Sequence, residues 1–152
     1  MKPFQFYKSR HALVQLFGVG LWLAFLYSSC EAPVSPDLVK KTVPQLIQDL
    51  KSSESRVRAQ AAIAIGQRPS SEAKVAVPEL IKLFRDQVPV VRKRAQEALI
   101  AIGKDAVPDL IKALDAIDPT VRFHAGRALE KIPTPQAQKA FLKYLDEEKK
   151  QV

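Results

Sequence analysis

Cysteine, histidine and glycine are scarce in this sequence: of 152 residues, one is cysteine, two are histidine and five are glycine. The lone Cys30 rules out a disulfide within the chain. His11 and His124 are too few to build a Cys/His metal cluster. No glycine-rich phosphate loop appears. Asp115 and Asp118 are the nearest thing to a carboxylate pair, but they fall at a loop and a helix start, where acids are expected. No catalytic constellation emerges. The expectation is a protein that is not an enzyme and holds no metal or other cofactor.

Aromatic residues are few and lopsided. The only tryptophan is Trp22, and Phe4, Phe6, Phe17 and Phe25 crowd the first 25 residues. Beyond them stand only Phe84, Phe123, Phe141 and Tyr144. The core of the remainder must therefore be Ala, Leu, Ile and Val, which suits close helix packing. Charge is basic, with 24 Lys and Arg against 16 Asp and Glu, but interspersed. A basic balance can suit nucleic acid or an anionic membrane. No nucleic-acid reading motif accompanies it, which argues against nucleic acid as a partner.

The first thirty residues have three parts. Lys2, Lys8 and Arg10 precede an apolar run from Ala12 to Tyr27, broken only by Gln15; small polar residues and Cys30 follow. That order is a secretory signal's. The run is at the short end for a spanning helix, which needs about 20 residues. Leu26-Tyr27-Ser28-Ser29-Cys30 resembles the lipobox of bacterial lipoproteins, with Tyr27 where that motif usually has Leu. The resemblance implies that Cys30 is lipidated and becomes the mature N-terminus. An uncleaved anchor and a cleaved soluble export remain alternatives. The expected organisation is a signal peptide or anchor over 1–29 and a Pro-rich tether over 30–37. A repeat domain over 38–148 and a tail over 149–152 follow. The expected location is exported and membrane-associated.

What the chain does contain is a repeat. VRKRAQEALIAIG starts at Val91 and VRFHAGRALEKIP at Val121; VRAQAAIAIG, at Val57, fits the first part. A second unit, Val-Pro and an amphipathic stretch, starts at Val43, Val77 and Val107, with a weaker copy from Ala137. Both units recur at spacings of 34 and 30 residues, so each repeat is a pair of elements. The longer period is absorbed by Arg68 to Ala76, read as a loop.

Both elements have helical spacing. Proline sits in the opening turn of the first, where its missing N–H costs nothing. Val91, Ala95, Ala98, Leu99 and Ile102 form one stripe of the second. Ala95, Ala98, Ala125 and Ala128 let helix axes approach closely. One pair of about thirty residues cannot bury its stripe alone, whereas stacked copies bury the stripes against each other. The motif V-R-x-x-A-x-x-A-L-x-x-I-G resembles the HEAT repeat family, in particular the short repeats of phycobilisome lyase-like proteins. The resemblance covers about Leu38 to Leu145 and implies an all-α, right-handed α-α solenoid of about three and a half helix pairs. Resemblance to helical-repeat hydroxylases that hold di-iron fails, because no His-Glu dipeptide occurs.

Arg58, Arg92 and Arg122 hold one place in each copy, and Glu54, Asp86 and Asp118 lie four or six residues before them. These acids can meet helix starts or pair with the arginine of their own or a neighbouring repeat. The family resemblance implies such a structural ladder. Positions that differ between copies are free for a partner. On the second helices, one stripe holds Arg94, Glu97, His124, Arg127 and Lys131, the candidate partner-facing patch. The expected function is a non-catalytic protein-binding scaffold tethered at a membrane. One alternative, from the lyase-like resemblance, is an accessory subunit or chaperone of a phycobilin lyase type system, against which the export segment argues. Another is a structural element that stacks on itself through Phe141 and Leu145 of the last helix.

Overall fold

Proline sets the helix starts. The computed structural model describes residues 36–150, and among them every regular element is helical. We number the α-helices α1 Pro36–Lys40, α2 Val43–Asp49, α3 Ser55–Gly66, α4 Ser70–Ala73, α5 Val77–Lys82, α6 Pro89–Ile102, α7 Val107–Ala113, α8 Pro119–Lys131 and α9 Pro135–Lys149. Proline occupies the first or second position of α2, α5, α6, α7, α8 and α9. There its fixed φ is already helical and no intrahelical bond is lost. Side chains secure further starts. The Thr42 N–H donates to Gln45 Oε1 at 2.8 Å before α2, and Thr134 Oγ1 accepts from the Ala137 N–H before α9.

Three helix pairs result: α2 with α3, α5 with α6, and α7 with α8. α9 follows in the place of a first helix. The second helices lie side by side, α3 against α6 and α6 against α8. Gly66 explains the closeness of the first contact: a Cβ there would lie 3.0 Å from Ala98 Cα. That is why the first copy has glycine where later copies have Ile100 and Glu130. Gly126 does the same for the last contact, with the Tyr144 ring of α9 where its Cβ would be. Gly103 has a different task. Its φ of +73° ends α6 in a conformation that side chains resist.

The core is aliphatic, with Phe84 its one aromatic among the buried residues. Ala95, Ala98, Ala125 and Ala128 are all buried. Burying a Leu or Ile side chain yields about 1.5–3 kcal/mol, so the dozen large core residues supply most of the cohesion between pairs.

The stretch from Arg68 to Ala76, expected to be a loop, is helical after Pro69: α4 runs into a 3₁₀ turn at Lys74–Ala76 and on into α5. Ala73 and Ala76 are fully buried there. The signal was present, since Ala73, Ala76, Val77 and Leu80 have the i, i+3, i+4, i+7 spacing of one helical face. The extra residues of the first period thus form an added turn. The equivalent 3₁₀ turn in the next pair is Gly103–Ala106, with Ala106 buried. α1 begins at Pro36, inside the stretch assigned to the tether, and α9 ends at Lys149. The signal or anchor segment, most of the tether and Cys30 lie outside the described residues.

Candidate partner-binding surface

The turns that join first and second helices leave carbonyls without helical partners, and the repeated arginines satisfy them. Arg58 Nη1 donates to the carbonyls of Ser52 and Ser53 at 2.8 and 2.9 Å. Arg92 Nη1 does so to Asp86 and Gln87, and Arg122 Nη1 to Ala116 and Ile117. Each arginine reaches back five and six residues, so the constant V-R spacing fixes a constant turn.

The other edge of the guanidinium faces the next repeat, and here the copies differ. Arg58 binds both carboxylate oxygens of Asp86, Nε to Oδ2 at 2.6 Å and Nη2 to Oδ1 at 2.9 Å. The side chains are 15% and 5% exposed, so solvent screens this bidentate pair little. Burial alone would raise the Asp86 pKa. The Arg58 guanidinium and the Val88 N–H overcome that and hold it below the usual carboxylate range. At the next junction Asp118 accepts from the Thr120 N–H and pairs with Arg85 at 3.5 Å. Arg92 Nε is buried without a hydrogen-bond partner. At the last junction Arg122 lies 3.5 Å from Glu148 of α9. Glu54 is exposed at the N-cap of α3 and makes no side-chain cap bond.

The candidate patch divides into two layers. Arg94 is only 15% exposed and pairs with Glu97 at 2.8 Å. His124 is half-buried between second helices: Nδ1 lies 2.8 Å from Gln96 Oε1 of α6, and the ring stacks on Phe84 at 5.4 Å. Phe123 meets its edge at 5.3 Å. Glu97 lies nearer solvent, and Arg127 and Lys131 are exposed, with Arg127 paired to Glu130 one turn on. So Glu97, Arg127 and Lys131 can meet a partner directly, while Arg94 and His124 reinforce the surface from beneath. One residue of this surface was missed. Phe123, edge-on to His124, is 54% exposed. An aromatic where the other copies have Ala59 and Lys93 was the available signal. Arg68 was missed as well; it stands where later copies have Ile102 and Ile132 and donates to the Lys41 carbonyl at 2.7 Å, fastening the end of α1.

Two predictions arise here. Arg92→Ala should destabilise the protein more than Arg94→Ala, because the first frees two turn carbonyls and the second breaks a pair within one helix whose carboxylate, Glu97, is 43% exposed. Equal melting temperatures for the two variants would contradict this. His124 is held below its ordinary pKa of about 6.5 by burial first and by the charge of Arg92 second. The folded state therefore prefers the neutral ring. Stability from this group is full above about pH 6.5 and is lost as pH falls through the lower folded pKa. Melting temperature should drop over that interval, and His124→Gln should flatten the drop. Identical pH profiles would contradict the assignment.

Among the described residues no three His, Cys, Asp or Glu side chains gather to hold a metal ion, and no helix is long and apolar enough to cross a membrane. A stack of helix pairs with satisfied turns and an irregular second-helix surface is a helical repeat scaffold. Models of HEAT repeats match residues 38–100 and 77–152, and the chain belongs to the HEAT repeat family. The chain is also similar to an engineered protein of known crystal structure, at 29% identity and a TM-score of 0.47. That match covers 67% of this chain and 50% of the other. No curated protein matches the chain.

Proposed function

We propose that this chain is a non-catalytic scaffold that binds another protein through the second helices α6 and α8, with its N-terminus tethered to a membrane on the exported side. The observation that carries the binding reading is the division of labour within each repeat. The recurring residues are consumed by packing and turn closure, while Glu97, Phe123, Arg127 and Lys131 differ from copy to copy and face solvent. HEAT repeats commonly mediate protein–protein contacts, which supports the reading. A stack this short offers one interface of about 800 Å² per partner. The tether rests on the order of the first thirty residues, basic, apolar, small polar, then Cys30.

Two experiments test the two halves. Affinity isolation of the membrane-extracted protein should recover a partner that is lost from an Arg127→Ala, Lys131→Ala double variant and kept by a Lys82→Ala, Lys112→Ala variant of the first helices. Partner recovery indifferent to both changes would contradict the surface. Intact mass should show the chain from Cys30 carrying a diacylglyceryl group, absent from Cys30→Ala. An unprocessed mass would make the segment a permanent anchor.

A further inference from the structure

The first and second helices carry very different charge. The second helices α3, α6 and α8 hold eight Lys and Arg against two acids, Glu97 and Glu130. The first helices α2, α5, α7 and α9 hold five Lys and Arg against six acids. The net positive charge of the stack thus lies on one row. Three of the eight cations are the turn-closing arginines. The two acids are already answered within their own helices, Glu97 by Arg94 and Glu130 by Arg127. Arg56 and Lys131 are exposed, and Lys93 is only 3.8 Å from an already paired Glu97. In the same row sits Phe123, an exposed aromatic with a cation four residues on. Such a residue is a typical energetic anchor of an interface, and surrounding charge selects the partner and speeds its arrival.

We infer that the second-helix row docks an acidic protein segment that places an apolar side chain against Phe123, with Lys93, Arg127 and Lys131 meeting its carboxylates. The inference rests on the scaffold reading and names the chemistry of the partner. An anionic lipid surface or a single-stranded nucleic acid also takes an exposed aromatic beside positive charge, but Glu97 and Glu130 stand in the same row and repel a uniformly charged polyanion, whereas a short acidic segment can set its carboxylates between them.

The test uses the full chain in uncharged detergent and a labelled glutamate-rich peptide with one central leucine, followed by fluorescence anisotropy. Phe123→Ser should weaken binding about tenfold or more, while Phe123→Tyr retains it. Reversal of Lys93, Arg127 and Lys131 to Glu should weaken it further, whereas the same reversal at Lys82, Lys112 and Lys139 changes it less than about twofold. Absent binding, equal loss from both triple reversals, or an inert Phe123→Ser overturns the inference. So does tighter binding of a single-stranded polynucleotide or phosphatidylglycerol vesicles with the same pattern of losses. If a partner is isolated through the second-helix row but its contacting segment is not acidic, the acidic assignment falls and the scaffold reading stands.

Discussion

Asp86→Ala is expected to lower stability by about 3 kcal/mol, the low end of what removing one partner of a buried ion pair costs. Arg58 would keep its two turn carbonyls but lose both bonds to the carboxylate, and the Val88 N–H would lose its acceptor. For a domain of this size that is about 10–15 °C in melting temperature. The loss should be local as well as global. In a stack, each repeat is held by its own packing and by contact with its neighbours. Asp86 joins the first pair to the second, so amide exchange should accelerate in α2 and α3 before α7 and α8. Asp86→Asn keeps an acceptor for Val88 and should fall between. Unchanged exchange in α3 would show that the pair contributes nothing to the coupling of the repeats.

Phe84→Ala is the other large effect, about 3–5 kcal/mol, as for other fully buried aromatics. Phe84 is fully buried in the turn after α5, inside the second pair, and its ring carries His124 from the third. Truncation removes the packing and also part of what keeps the imidazole dry. A second readout follows: the melting temperature of Phe84→Ala should depend less on pH, between about 6.5 and the lower folded pKa of His124, than that of the wild type. Phe84→Leu should recover much of the stability and little of the stacking. A truncated variant as stable as the wild type would mean that the two pairs are joined elsewhere.

The repeat was legible because packing imposes a rigid period: Val91, Ala95, Ala98, Leu99 and Ile102 can occupy one face only in a helix, and all five are buried. Their counterparts Val121, Ala125, Ala128, Leu129 and Ile132 behave alike. The helical turn of Ser70 to Ala76 was obscured by Pro69 and two serines, although the proline starts the turn rather than breaking the chain. The constant arginines were visible as a pattern. That each closes a turn five and six residues back could not be read, because backbone carbonyls leave no mark in a sequence. Nor could the difference between junctions. Asp86 and Asp118 look equivalent in one dimension, yet Asp86 binds Arg58 of the preceding repeat and Asp118 meets Arg85 of the preceding turn. On the candidate surface, spacing placed Arg94, Glu97, His124, Arg127 and Lys131 on one stripe. Depth within the stripe depends on the neighbouring helix, and so Arg94 turns out largely covered and His124 half-covered while Phe123, outside the stripe, is open.

The central claim is that this chain recognises a protein with its second-helix row. The most direct measurement is site-specific photocross-linking in the native membrane, with the photoreactive side chain at Lys131 in one protein and at Lys112 of the first-helix row in another. The account predicts one discrete adduct to a second protein from Lys131 and none from Lys112. Adducts of equal yield from both positions, or from Lys112 alone, would contradict it.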